Sequence, residues 1–428
     1  MKKLFLKVLK STIISSIIVF SSLNVNAQMR CRSILGSHLS PINKDIPLLW
    51  AVEGTMAPGI MSSVGDADNA KLNGGMILGA LDYTFLKKHH FYFEGGFKIW
   101  ENSELTPKIS EKSKHLGIRQ VFYSFNEENT KIKVGLHEMK LGNYFLVDER
   151  VLGISVDQQF GAFSFHPRVG TVIDDFARMG RFCGNRHLYN LITTDYTEKI
   201  GEKGGETNLA GIVINWNPSF EKEVESSDDE FSTFNEFEEK KALIVEDVGI
   251  IFYQEFGKII QTHKQYFGSL VTFNLPAKFN LLAGGVFQNL KWNNTLVYIA
   301  DIKRIFIWNS GENTEIGGAF IGKYDVDNNA KFQPLFSNLF LGEIMRLDAT
   351  DFPLWKASVN HDFKGKLKFN MGIKAVGQIE GNNTSEIDFE TAIQLFGHSK
   401  ITAIFSHVKT DALPNDINML RLELKVAF

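Results

Sequence analysis

Arginines within one polar stretch are the residues whose chemistry is easiest to define. Residues 173–207 contain Arg178, Arg181 and Arg186. A guanidinium group stays charged and offers several hydrogen-bond donors, so three of them near one another could line a constriction and attract anions. A solvated surface loop is the other interpretation of this stretch, and the sequence leaves both open.

The motifs of common enzyme classes are missing from the sequence. It has no G-x-S-x-G nucleophile elbow, no H-E-x-x-H zinc helix and no Walker loop. His361 and Asp362 are adjacent, but neighbouring residues of a strand face opposite sides, which disfavours a catalytic dyad. Asp325 begins a stretch like a calcium loop that lacks the required glycine and closing glutamate. We therefore expect no enzyme, no metal site and no cofactor.

Composition excludes further classes of protein. The 428 residues carry a formal net charge of −3, which argues against a nucleic-acid partner. Two cysteines cannot form a disulfide framework or a four-cysteine zinc site. Cys31 and Cys183 could pair with each other in an oxidising compartment, provided that both lie on the same side of a membrane.

The amino terminus has the pattern of an export signal. Lys2, Lys3 and Lys7 precede a short apolar run, and Ala27 completes a site of the A-x-A kind. We expect residues 1–27 to be a cleaved signal peptide, because the run is shorter than the roughly 20 residues that span a membrane. Residues 28–47 are then a short periplasmic segment.

The rest of the chain alternates apolar and polar residues in short runs. Ile132, Val134 and Leu136, for example, alternate with Lys131, Lys133 and His137. This period of two predicts strands with one apolar and one polar face. Aromatic residues recur near the ends of the runs, as in the interface girdles of membrane barrels.

We predict that these strands form an all-β, antiparallel transmembrane barrel over residues 48–428. Strands of roughly 9–11 residues close a chain of this length at about 16 to 18 strands, with 18 preferred. The last strand alternates Leu420, Leu422 and Leu424 with charged residues and ends in Phe428, a pattern that resembles the signal by which bacterial barrel-insertion machinery recognises outer-membrane barrels. A secreted β-sandwich or propeller has the same period and is the alternative.

A second long connection is strongly acidic. Residues 219–241 contain nine carboxylates and only three lysines. Such a run repels itself and stays solvated, so we expect a long external loop, with attraction of divalent cations or a basic partner as the alternative interpretation.

One segment resembles a strand-turn-strand motif of the alginate-export family of outer-membrane barrels. In that motif a strand ending in glycine and a polar-Glu pair leads to a second glycine and then to an acidic-Arg-aliphatic-Gly stretch. The matching positions are Gly135, Glu138, Gly142, Asp148, Glu149, Arg150, Leu152 and Gly153. Leu136 and His137 stand where the family has Arg-Gln, and the match covers only this short segment.

The resemblance implies a monomeric barrel of about 18 strands whose lumen conducts a hydrophilic, often anionic solute. It makes Glu138, Lys140, Asp148, Glu149 and Arg150 candidate lumen or constriction groups. Opposed charges of this kind can select ions and sugars without any reaction. The alternative is that Glu149 and Arg150 form an internal ion pair that holds the turn.

The function expected from these patterns is passive transport. The chain would be a porin-like channel in the outer membrane of a Gram-negative bacterium, in contact with its lipid, and would pass small hydrophilic, anionic or saccharide solutes. The alternative is a non-conducting barrel that serves as a structural, assembly or binding subunit for a surface protein or polysaccharide.

Overall fold

The computed structural model of the chain describes residues 39–41, 46–62, 70–103, 111–142, 146–172, 207–218, 245–257, 264–290, 293–327, 332, 342, 353–365, 368–381, 383–396, 399–411 and 415–428. The expected signal peptide, both cysteines and most of the two long connections lie outside these residues. No helix among the described residues is long and apolar enough to span a membrane.

Strands make up nearly all of the described chain. Their bounds are β1 (Ser40–Pro41), β2 (Leu48–Met61), β3 (Ala70–Phe85), β4 (His89–Ser103), β5 (Glu111–Glu127), β6 (Thr130–Leu141), β7 (Val147–Phe160), β8 (Phe163–Val172), β9 (Thr207–Trp216), β10 (Val245–Gly257), β11 (Lys264–Leu275), β12 (Phe279–Asn289), β13 (Thr295–Ile307), β14 (Asn313–Asp325), β15 (Leu354–Lys364), β16 (Lys368–Gln378), β17 (Ser385–Gln394), β18 (Lys400–Lys409) and β19 (Ile417–Ala427).

Strands β2 to β19 form one closed antiparallel ring of 18 strands. Each pairs with its neighbour in sequence, and β19 pairs with β2 to complete the ring, with Val426 opposite Gly54. Closure gives the backbone N–H and C=O groups partners within the ring and removes the free edges that an open sheet would expose. The expected barrel and the preferred strand number are confirmed. The two-residue β1 pairs with Leu49 and Trp50 of β2, beyond the point where β19 ends.

The barrel is apolar outside, and many charged side chains lie inside it. On β19, Leu420, Leu422 and Leu424 are exposed on the exterior, whereas Arg421 of the same strand is only 1% exposed. The same alternation places Glu94, Lys374 and other charged side chains in the interior. A soluble sandwich buries its apolar face, so this distribution excludes the alternative fold and indicates a lipid-facing exterior.

The two ends of the barrel differ in their connections. At the end where β2 begins and β19 ends, every connection except the acidic one has two to five residues, such as 161–162 between β7 and β8; we call this the short-turn end. Val172 of β8 and Thr207 of β9, the strand residues that flank 173–206, lie at the opposite, long-loop end. The acidic connection joins Trp216 to Val245, and Trp216 pairs with Phe163, which directly follows a short turn. It therefore leaves and re-enters the barrel at the short-turn end. This is contrary to the expectation of an external loop, since barrels place their short turns on the periplasmic side.

Candidate functional site: a narrowed lumen

Ion pairs between side chains of the barrel wall line part of the interior. Lys374 Nζ of β16 lies 3.5 Å from Asp388 Oδ2 of β17. On the neighbouring wall, Lys425 Nζ of β19 lies 2.6 Å from Glu53 Oε2 of β2. Positive and negative groups alternate because each inward position of one strand faces an inward position of the next. These pairs balance the charge of the wall, and Lys425, with 27% of its side chain exposed, is the member most open to a polar solute.

One hairpin leaves the wall and turns into the lumen. The pairing of β5 with β6 ends at Val121 and Leu136, and that of β7 with β8 ends at Leu152 and Thr171. The pairing of β6 with β7 continues beyond both points, to Leu141 and Val147. We call residues 137–142 and 146–151 the inner hairpin. Its two strands stay paired with each other but no longer belong to the ring.

The backbone at the base of the inner hairpin explains the departure. Gly135 has a φ of +124°, a backbone conformation that residues with a side chain rarely adopt. A Cβ there would lie 2.5 Å from the carbonyl oxygen of Val121. His137 Nδ1 lies 2.9 Å from the Gly135 carbonyl oxygen, which can only accept, so a neutral imidazole carries its proton on Nδ1. His137 Nε2 then accepts from the Ser155 hydroxyl at 2.6 Å. The imidazole thus ties β6 to β7 at the base.

Apolar packing holds the far part of the inner hairpin against the inner wall, with close contacts at β9 and β10. A Cβ on Gly211 of β9 would lie 2.6 Å from Leu141 Cδ1, and a Cβ on Gly142 would lie 3.6 Å from Ile251 Cδ1 of β10. The inner hairpin contributes Met139, Leu141, Leu146, Val147 and Val151 to a buried cluster whose wall residues are Leu209, Ile251, Tyr253, Tyr266, Leu270, Val286, Val297, Ile299, Ile321, Leu354 and Val376. This half of the lumen is a packed core over strands β9 to β16.

The connection between β14 and β15 also reaches the interior. The ring of Phe332 meets that of Tyr266 on β11 edge-on, with centroids 6.0 Å apart. Gly342 lies directly against the carboxylate of Glu386 on β17. Residues of one connection therefore contact two parts of the wall that are six strands apart. Together with the inner hairpin, they narrow the lumen.

The residues that the motif singled out lie in or beside the inner hairpin. Glu138 and Arg150 occupy opposite positions of its two strands, and Lys140 Nζ lies 3.3 Å from Glu138 Oε1. Asp148 and Glu149 pair through their backbones with Lys140 and Met139. The structure thus brings these five positions together. Arg178, Arg181 and Arg186 lie outside the described residues.

Sequence reasoning missed the apolar residues that pack the inner hairpin. Up to Leu136 the apolar residues of β6 stand at even positions, and afterwards Met139 and Leu141 stand at odd positions. On β7 the change is the same, because Val147 and Val151 precede the even-numbered Leu152. A change of phase within one strand means that the apolar face turns over. This was the available signal that the hairpin leaves the lipid-facing wall.

The described residues offer no grouping suited to catalysis by a metal. None of their His, Cys, Asp and Glu side chains form a group of three or more that could hold a metal ion. His361 bonds to the Thr314 hydroxyl at 2.7 Å, whereas Asp362 accepts from Asn370 Nδ2 at 2.7 Å. The adjacent pair is thus divided between separate partners, as its position in a strand predicts.

Comparison with known proteins finds similar structures but no match by sequence. No protein-family model and no curated protein matches the chain. The structure of OpdO from Pseudomonas aeruginosa is similar with a TM-score of 0.50 and 12% identity, over 90% of this chain and 98% of that one. OccAB1 from Acinetobacter baumannii has a TM-score of 0.51 and 11% identity, over 92% of this chain and 98% of that one.

A third similar structure contains a ligand. OccK2 (OpdF) of Pseudomonas aeruginosa in complex with glucuronate has a TM-score of 0.51 and 10% identity, over 89% of this chain and 96% of that one. These likenesses do not single out the alginate-export family that the short motif resembles. At such identities they establish the fold: the chain forms a large, closed, 18-stranded β-barrel like those of the Occ-type outer-membrane porins.

Proposed function

We propose that the chain is an outer-membrane channel for the passive passage of small hydrophilic solutes. The observation that carries this proposal is a closed barrel with an apolar exterior and charge pairs on part of its inner wall, with a lumen that the inner hairpin narrows. An apolar exterior suits lipid, and an interior of paired charges can exchange contacts with a passing solute without holding it. No reaction is proposed.

Anionic or saccharide solutes are the class that we favour. Glucuronate, the ligand in the similar OccK2 structure, is both a sugar and an anion. Arg150 stands on the inner hairpin, opposite Glu138. A guanidinium beside the passage would attract a carboxylate, and the three arginines of residues 173–207 would add to it. The resemblance of Gly135 to Gly153 to the alginate-export motif agrees with such solutes, and we keep alginate itself as a hypothesis.

A planar lipid bilayer tests the proposal. The full mature chain, refolded in detergent, is added to one side, and single-channel currents are recorded in potassium chloride. Reproducible unit steps that are blocked or reduced by millimolar glucuronate support the channel and its solute class. Steps that glucuronate leaves unchanged retain the channel and reject the solute class. A correctly folded barrel that gives no steps rejects the channel.

A non-conducting barrel is the second candidate function. The burial of interior charges favours it, because Arg421 and Asp388 are only 1% and 2% exposed. Such a barrel would act as a structural, assembly or binding subunit for a surface protein or polysaccharide. Silence in the bilayer, together with capture of a polysaccharide by the refolded protein, would support this function.

The route to the membrane completes the proposal. Residues 1–27 would direct export and be removed, residues 28–47 would remain in the periplasm, and residues 48–428 would form the barrel. The insertion machinery would recognise the last strand through Phe428, which is exposed on the exterior. Amino-terminal sequencing of the protein from outer-membrane fractions tests the cleavage after Ala27.

A further inference from the structure

A β-bulge lies in the wall beside the base of the inner hairpin. Gln120 of β5 pairs with Glu94 of β4, but the next pair joins Ile118 to Gly95. Arg119 is therefore an extra residue in β5. A bulge of this kind changes the direction of a side chain that would otherwise follow the alternation. Ile118 faces the exterior, whereas Arg119 and Gln120 are both only 1% exposed.

The redirected arginine joins a buried group of polar side chains. Arg119 Nη1 lies 2.7 Å from Glu94 Oε1, and the Tyr92 hydroxyl donates to Glu94 Oε2 at 2.5 Å. Glu138 and Arg150 of the inner hairpin lie close enough to interact electrostatically with Arg119. The group thus extends from the wall to both strands of the inner hairpin.

Gln120 makes the direct bond to the inner hairpin. Its Oε1 accepts a hydrogen bond from the backbone N–H of Glu138 at 3.1 Å. This N–H lies two residues beyond Leu136, where the pairing of β6 with β5 ends. The side-chain oxygen of Gln120 therefore replaces the backbone acceptor that the ring would have supplied. An unmet N–H in this partly buried place would lose a hydrogen bond that water only partly replaces, so the bond favours the inward position of the hairpin.

We propose that Arg119 and Gln120 are positioning residues that hold the inner hairpin across the lumen and thereby set the width of the passage. Only the effect on the width of the passage rests on the proposed channel function; the holding of the inner hairpin does not. Glu94 anchors Arg119, the positive charge of Arg119 attracts Glu138 of the inner hairpin, and Gln120 bonds to the hairpin backbone. The apolar cluster at the far end and this polar group at the base then fix the hairpin at two points.

The test uses Gln120→Leu, which keeps the approximate size and removes the acceptor. Gln120→Glu is the conservative variant, since it keeps an oxygen at the same position. Gln288→Leu is the matched control: Gln288 is also fully buried on the inner face of the barrel, and its Nε2 donates to the Asn293 carbonyl oxygen at 2.8 Å, away from the inner hairpin. Arg119→Met gives a second, independent disruption.

Two measurements are made on each folded barrel. Hydrogen exchange read by mass spectrometry reports the protection of peptides covering 136–151, and bilayer recording reports the fraction of time spent at conductance levels above the main one. Loss of one buried hydrogen bond corresponds to a shift of about tenfold in the equilibrium between a docked and a released hairpin. We expect faster exchange and about ten times more high-conductance time for Gln120→Leu and Arg119→Met. Gln120→Glu and Gln288→Leu should resemble the wild type in both measurements.

The outcomes separate the two proposals. Unchanged exchange at 136–151 in both Gln120→Leu and Arg119→Met overturns the positioning role, whatever the currents show. Faster exchange without a change in the currents of a conducting wild type overturns the effect on width. A silent wild type rejects the channel function, while the exchange data still decide whether these residues hold the hairpin. Failure of Arg119→Met to fold leaves the milder Gln120→Leu to decide.

Discussion

Replacing Leu422 by arginine tests whether lipid contacts the exterior of the barrel. Leu422 is the sixth of the eleven residues of β19 and faces outward. Five strand residues in either direction cover about 16 Å along the strand, or about 12 Å of depth at a tilt of about 45°. An arginine at Leu422 would therefore lie near the middle of the bilayer. We expect the free energy of unfolding to fall by about 2–4 kcal/mol, which is about 30- to 1,000-fold in the folding equilibrium.

Leu86→Arg is the matched control for this measurement. Leu86 lies in the short turn between β3 and β4 and is 80% exposed, against 48% for Leu422. A lipid-facing exterior makes only the Leu422 substitution costly, because the turn lies outside the hydrocarbon. Both variants are refolded into phosphatidylcholine vesicles and unfolded in denaturant, with the fluorescence of the six native tryptophans as the signal. Equal free energies for the two variants, within about 1 kcal/mol, would refute the lipid-facing assignment.

Three further substitutions probe the interior. Leu141→Ala should lower the free energy of unfolding by about 2–5 kcal/mol, since it leaves a cavity beside Gly211, and should raise the unit conductance; denaturant titration and bilayer recording check the two effects. Arg150→Ala should shift the reversal potential in a salt gradient toward cation selectivity, and an unchanged potential would count against a place beside the passage. Gly153→Ala places a Cβ 2.6 Å from Gly170 Cα. It should force β7 and β8 apart at a cost of about 1–3 kcal/mol in the unfolding experiment, and a stability equal to that of the wild type would contradict the close approach.

The barrel could be predicted from the sequence because its cause is local. A strand that separates lipid from a polar interior must alternate, and Leu420 to Val426 alternate without interruption. The same rule explains why the adjacent His361 and Asp362 were not expected to act together. The number of strands could be predicted from the chain length, because one strand across the membrane takes roughly 9–11 residues.

The candidate site was predicted only in part. The motif drew attention to Glu138, Lys140 and Arg150, and the structure places them in one hairpin. It gave no hint of the wall residues that contact this hairpin, because Arg119 and Gln120 look like two more polar residues of a regular strand. Only the pairing of β4 with β5 shows that Arg119 is an inserted residue.

By itself, the sequence determined that the chain alternates in short strands, and with the export pattern and the last strand it favoured a closed ring with apolar residues outside over a sandwich or propeller. The alternation can be recognised in each strand separately, because it does not depend on which strands pair with it. Only the tertiary structure decided that the inner hairpin leaves the wall, that Leu141 meets Gly211 on a strand far along the chain, and that the acidic connection lies at the short-turn end. These features depend on contacts between distant segments and on the register of closure, which a local pattern does not specify.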